Sequence, residues 1–206
     1  MSWFRGSRRS DAYRRFEASM NIGYEQWHDG IGYDLAALDE LNDTDRSLVE
    51  GLLIPRAAND WRDLEALGRL GTPKSIRAIM EVRSVKDPEM RLRAHHYGPD
   101  PSAEEWNSAI VNALAQVEPF AGLVLTMDSA CAHHSPAVID ALWNCVRTPG
   151  RSLAFHCAEA LGRIAGFVDS PFDMKHRDLF LRFNGPDTED RRKAIAELEQ
   201  LCARVS

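Results

Sequence analysis

Apolar positions in this chain recur every three or four residues and almost nowhere every second one. From Arg151 to Gly166, RSLAFHCAEALGRIAG, they fall at Ala154, Cys157, Ala158, Leu161, Ile164 and Ala165, with Val168 just beyond. That is the spacing of a helix burying one face. The face is rich in alanine and carries Gly162, so a neighbouring helix can come close. The same spacing predicts a short helix in DAYRRFEASM (Tyr13, Phe16, Met20), one capped by Asp34, and one capped by Asp43 that buries Leu48, Val49, Leu52 and Leu53. Further along, Trp106, Ala109, Ile110, Ala113, Leu114 and Val117 share a stripe, as do Val138, Ala141, Leu142 and Cys145. A last helix, EDRRKAIAELEQLCARV, is expected to bury Ile195, Leu198, Leu201, Cys202 and Val205 and to close the array. No stretch alternates with period two over a useful length, so the expectation is an all-α fold.

The punctuation between these helices is regular. Thr72-Pro73, Ser135-Pro136 and Ser170-Pro171 each set a capping hydroxyl before a proline at the first helical position, where the missing N–H costs nothing. Ser102 makes a capping box with Glu105. These starts lie 30, 33 and 35 residues apart, and the fragments EALGRLG (65 to 71) and EALGRIAG (159 to 166) lie 94 apart, three times about 31. Partner helices opened by Asp60, Asp87-Pro88, Glu118-Pro119 and Thr148-Pro149 give pairs at 60–83, 87–117, 119–147 and 149–183.

DWRDLEALGRLGTPKSIRAIMEV, KDPEMRLRAHHYG and GRSLAFHCAEALGRIAG resemble the HEAT-repeat superfamily, in particular the short bacterial HEAT-like repeats of the phycobilisome-lyase type. The resemblance implies an α-α superhelix, a HEAT-like helical-repeat solenoid over residues 34–206. An irregular, aromatic-rich N-terminal cap over residues 1–33 and a C-terminal capping helix would close its ends. The expectation is one domain overall.

Charge sharpens the partner. The chain carries 25 basic and 31 acidic residues, a net −6; the first fifteen positions hold five Arg and one Asp, which leaves the rest at −10. Nine carboxylates from Asp34 to Glu65, among them Glu50 and Asp63, face Arg46, Arg56 and Arg62. Such a body repels nucleic acid and steers a basic protein towards itself. No run approaches the roughly 18 apolar residues of a membrane span, and the twin Arg near the start is followed by no apolar segment, so a cytoplasmic protein is expected. Cys131, Cys145, Cys157 and Cys202 have neither CxxC pairing nor a disulfide spacing and read as buried thiols.

Candidate chemistry is sparse. HEAT-like deoxyhypusine hydroxylases bind iron through His-Glu pairs just before the ALG of a helix; here His156-Cys157 stands at that place and the first copy has no histidine, so neither metal nor cofactor is expected. HEAT-like alkylpurine DNA glycosylases need a basic groove. Glu159 is expected to pair on the surface with His156 and Arg163, and Glu65 with Arg69. No catalytic residue is nominated, and the expectation is a protein that is not an enzyme. Seven of the 17 aromatic residues lie in the first 33 positions, as a cap or a binding surface. Trp143, with Ile139 and Val146 on a flank beside Asp140, Asn144 and Arg147, is the candidate anchor for a partner. The functional expectation is a non-catalytic protein-binding scaffold, most specifically an immunity-type protein neutralising a bacterial toxin. The alternative is a chaperone-like or phycobilin-lyase-like assembly factor, and a metal-dependent HEAT enzyme ranks third.

Overall fold

In the computed structural model of the chain, residues 9–116, 122–170, 174–184, 186 and 188–205 are described; the expected helix starts at Glu118-Pro119 and at Pro171 lie outside them. Every regular element among the described residues is helical and none is a strand. The chain divides into two compact units, residues 1–86 with 93–100 and residues 87–92 with 101–206.

The first unit holds α1 (Asp11–Ser19), α2 (Tyr24–His28), α3 (Leu35–Asp39), α4 (Asp43–Leu53), α5 (Trp61–Leu70) and α6 (Pro73–Val82), with the second half of α7 (Pro88–Tyr97). Polar side chains start most of these helices. Ser10 accepts the Tyr13 N–H at 3.1 Å, Asp34 that of Ala37 at 3.1 Å, and Thr72 that of Ser75 at 3.1 Å. Asn42, not the expected Asp43, caps α4, because its carboxamide reaches the Asp45 N–H at 2.9 Å. The NIGYEQWHDGIGYD stretch, most of it within the irregular cap expected over residues 1–33, contains the short α2. α5 is central, packing on α3, α4 and α6. The core is built from Tyr13, Phe16, Leu38, Val49, Leu53, Leu64, Leu67 and Ile79, and the Phe16 and Tyr33 rings meet edge to face at 5.8 Å. Leu48 and Leu52 are exposed rather than buried. The inner face of α4 is narrower than expected, because Asp45 and Glu50, satisfied by hydrogen bonds, take places beside Val49 and Leu53.

The second unit holds the start of α7 with α8 (Ala103–Gln116), α9 (Leu123–Ala132), α10 (Pro136–Arg147), α11 (Ala154–Ala165), α12 (Arg177–Leu181) and α13 (Glu189–Val205). The capping box at Ser102 is present in both directions: the Ser102 N–H donates to Glu105 at 2.8 Å and the Glu105 N–H to Ser102 at 3.2 Å. α11 packs on α9, α10, α12 and α13, which explains its small residues. It begins at Ala154 rather than after Thr148-Pro149, since Thr148 terminates α10 with its hydroxyl on the Asn144 carbonyl at 2.7 Å. Around α11 lie Leu142, Cys145, Val146, Cys157, Leu161, Phe180, Phe183 and Leu198. In α13 the buried line is Arg191, Ala194 and Leu198, with Ile195, Leu201 and Cys202 only half-buried. Arg191 is 1 % exposed, and its guanidinium donates to the carbonyls of Phe183 at 2.8 Å, Val146 at 2.5 Å and Thr148 at 3.0 Å. The last two cap the end of α10 with a positive charge, where the helix dipole favours one.

Each unit contains one copy of the EALGR fragment, and the two copies are built alike. Both end in a left-handed glycine, Gly71 at φ 60° and Gly166 at φ 82°. The inner glycine of each permits a close approach: a Cβ would lie 2.5 Å from the Tyr97 carbonyl oxygen at Gly68 and 2.7 Å from the Val168 side chain at Gly162.

Candidate functional site

Glu50 and Asp63, expected on an exposed acidic surface, are buried. Asp63 is fully enclosed. It accepts from the Tyr33 hydroxyl at 3.0 Å and from Arg56 Nε at 3.2 Å. Burial outweighs the nearby Arg56 guanidinium and pushes its carboxyl up to about 6, while burial and the Asp63 charge raise the Tyr33 phenol. Glu50 accepts from the hydroxyls of Ser75, at 2.9 Å, and Thr72. These carboxylates are hydrogen-bonded ties between elements, and they stand inside because their partners satisfy them.

The N-terminal aromatic residues divide. Tyr13, Phe16 and Tyr33 are core, whereas Tyr24, Trp27 and Ile31 are 76 %, 64 % and 50 % exposed. No residue of α2 is buried, and the rings of Tyr24 and Trp27 lie side by side at 6.3 Å with the His28 ring 6.0 Å from Tyr24. Tyr24 and Trp27 border a shallow hollow of about 480 Å³ that reaches Tyr33, Arg56, Asp60 and Arg62. Arg62 is itself held inside, its Nε donating to the Ile31 carbonyl at 2.7 Å.

Trp143 is half-buried rather than exposed. The Arg147 guanidinium lies 5.0 Å from its ring centroid and also bonds Glu199 of α13 at 2.9 Å. Trp143, Ile139, Leu161, Ile164 and Cys202 line a groove of about 400 Å³. Asp140 and Asn144 are exposed beside it, but Val146, expected on the same flank, is fully buried in the core. The stripe of α10 is broader than its sequence implied, because α8 and α11 both pack on it. Trp106, expected inside, is half-buried and stacks on His133 at 4.2 Å. Of the cysteines, Cys145 and Cys157 are buried and Cys131 and Cys202 only partly so.

A partly enclosed cavity in the second unit was not anticipated. It measures about 400 Å³ between α9, α11 and α12, with Leu123, Val124, Met127, Phe155, Met174 and Phe180 as apolar walls. Glu159, expected on the surface, lines it while only 8 % exposed. Neither expected partner reaches it. Arg163 donates instead to Asp128 at 3.1 Å, and the His156 ring packs edge-on to Phe155 at 5.0 Å. Arg69, the counterpart of Arg163, likewise leaves Glu65 and bonds Asp39 at 2.9 Å. Among the described residues Glu159 has no hydrogen-bond or ion-pair partner, and burial pushes its carboxyl up to about 7 against the pull of Arg163. Burial lowers His156 and raises the Cys131 thiol. The sequence signal for a buried Glu159 was the uncharged, mostly small run around it, Cys157, Ala158, Ala160, Leu161 and Gly162, which leaves no polar face beside the carboxylate; in the structure residues 157–162 are buried without a break.

Among the described residues no three His, Cys, Asp or Glu side chains converge as a metal ion would require, and no helix is long and apolar enough to cross a membrane. No protein-family model, curated protein or solved structure matches the chain.

Proposed function

We propose that the chain is a non-catalytic HEAT-like helical-repeat protein that holds another protein, docking it on the aromatic arm from Tyr24 to Ile31. The observation that carries this reading is the division of the aromatic residues. Tyr24 and Trp27 stand on a helix with nothing buried, while their neighbours Tyr13, Phe16 and Tyr33 supply the packing that a cap needs. Large aromatic side chains left open beside a hollow are the usual anchors of protein interfaces. Glu25 and Asp29 flank the rings, and a partner presenting Lys or Arg would meet both carboxylates and aromatic faces.

The superhelical repeat reading is supported by the matched architecture of the two EALGR copies. Each has a left-handed glycine stop, an inner glycine at a close approach, and an arginine tied to an aspartate of an earlier helix, Arg69 to Asp39 and Arg163 to Asp128. An immunity role against a secreted toxin and an assembly-factor role are both instances of this function. Protection of cells from a toxin encoded beside the gene would select the first, and its absence the second.

Affinity capture tests the docking site. One polypeptide recovered in stoichiometric amount with the wild type and with Trp143→Ala, but lost with the double variant Tyr24→Ala/Trp27→Ala, supports the arm. Loss with Trp143→Ala and retention by the double variant would move the interface to the groove between α10 and α13.

A further inference from the structure

The cavity between α9, α11 and α12 is not explained by protein docking on α2. A carboxylate more than nine-tenths buried is ordinarily satisfied by hydrogen bonds, as Glu50 and Asp63 are. Glu159 is not, and it faces a space of about 400 Å³, within the range of small-molecule sites. The walls are hydrocarbon and aromatic: Met127 from α9, Phe155 and Ala160 from α11, and Phe180 from α12, with Val124 and Met174 exposed towards solvent.

We propose that this cavity binds a small hydrophobic primary amine, its ammonium seated on the Glu159 carboxylate and its hydrocarbon body against Met127, Phe155 and Phe180. The head group follows from what is unsatisfied. Glu159 has no donor in contact, and an ammonium provides one together with a countercharge seated directly on the carboxylate, where Arg163, bonded to Asp128, acts only at a distance. An anionic head would meet that carboxylate. The cations nearby do not reverse the preference, because Arg163 is already held by Asp128 and Arg177 is exposed, where its field is screened. A wholly polar ligand would leave the walls without contacts.

Occupancy is linked to pH. The groups that face Glu159 are Asp128 and Cys131 from α9, His156 and Arg163 on α11 itself, and Arg177 from α12. Burial lowers His156 and raises Cys131 from their ordinary values, and it pushes the Glu159 carboxyl up to about 7. The ammonium requires the ionised carboxylate, so binding strengthens as pH rises through about 7 and releases a proton below it. Affinity is expected to be about tenfold higher at pH 8 than at pH 6.

The probe is n-octylamine, with n-octanoate and n-octanol as controls, followed by calorimetry and by the methyl resonances of ¹³C-labelled methionine. Octylamine is expected to bind saturably at one site, to shift Met127 and Met174 while leaving Met20 and Met80 in place, and to lose tenfold or more in affinity in Glu159→Gln. Ala160→Met, which narrows the cavity without touching the carboxylate, is expected to weaken it as well, and a single cooperative thermal transition shows that each variant is folded. Binding of octanoate or octanol as tight as that of octylamine, or affinity unchanged by Glu159→Gln, or affinity falling from pH 6 to pH 8, would overturn the proposal.

Discussion

Two helices of this protein carry the same five residues, EALGR, and surround the glutamate of that fragment differently. On α5, Glu65 is half-buried, and burial raises its carboxyl while Arg93, His96 and Arg62 all oppose that rise. On α11, Glu159 is buried with Arg163 alone opposing its desolvation, and it opens on an apolar cavity. The arginines behave identically, each leaving its own glutamate for an aspartate on an earlier helix. A short motif therefore fixes a helix end and a close packing contact, while the next layer of side chains decides whether its acid is half-buried among cations or enclosed beside an apolar cavity.

The largest expected effect separates the two glycines of the motif. Gly68→Ala drives a methyl into the Tyr97 carbonyl oxygen, part of a backbone that cannot yield, and should cost about 3 kcal/mol, whereas Gly162→Ala meets side chains of Val168 and Phe167 that can shift and should cost about 1 kcal/mol. Urea unfolding of the two variants measures this, and equal costs would break the contrast.

Asp63 and Cys157 occupy equivalent places, two residues before each EALGR. Asp63→Ala leaves the Tyr33 hydroxyl buried without its acceptor and should cost about 2 kcal/mol, while Cys157→Ala removes a thiol's volume and its weak hydrogen bond with the Cys145 thiol and should cost about 1 kcal/mol.

Glu159→Gln should act in the opposite direction. A carboxyl raised to about 7 in the folded chain binds its proton there over a range where the unfolded chain does not, so folded stability falls as pH rises from the usual carboxylate range through about 7. Removing the charge should stabilise the protein by about 1–2 kcal/mol at pH 8 and leave it unchanged near pH 4. Glu65→Gln should show the same sign and a smaller gain. Thermal melts at the two pH values decide it. The smallest effect is expected for Arg69→Ala, whose pair with Asp39 is exposed on both sides and should leave the melting midpoint within error.

Much of the fold was legible because its signals are local. The hydroxyl caps at Thr72, Ser102 and Ser135, the glycine stops and the period of the apolar residues all act within one turn of helix. What the sequence concealed depends on residues brought from afar. Asp63 is buried because Tyr33, thirty residues earlier, donates to it, and Glu50 because Ser75 does. The acid density from Asp34 to Glu65 therefore overstated the charge available to a partner. The helical spacing puts Trp143 and Val146 on one flank of α10, but neighbours on two sides widen the buried stripe to take Val146 whole and Trp143 in part. The split of the aromatic residues between core and α2 had no local signature, since Tyr24 and Tyr33 are both flanked by glycine and polar residues.

The most direct measurement is the titration of the Glu159 side-chain carboxyl by carbon NMR, alone and with octylamine. The expected midpoint is about 7 in the free protein, above that of Glu65, and it should move downwards as the amine binds. A Glu159 that titrates with the ordinary glutamates, or one whose midpoint octylamine leaves in place, would contradict the account.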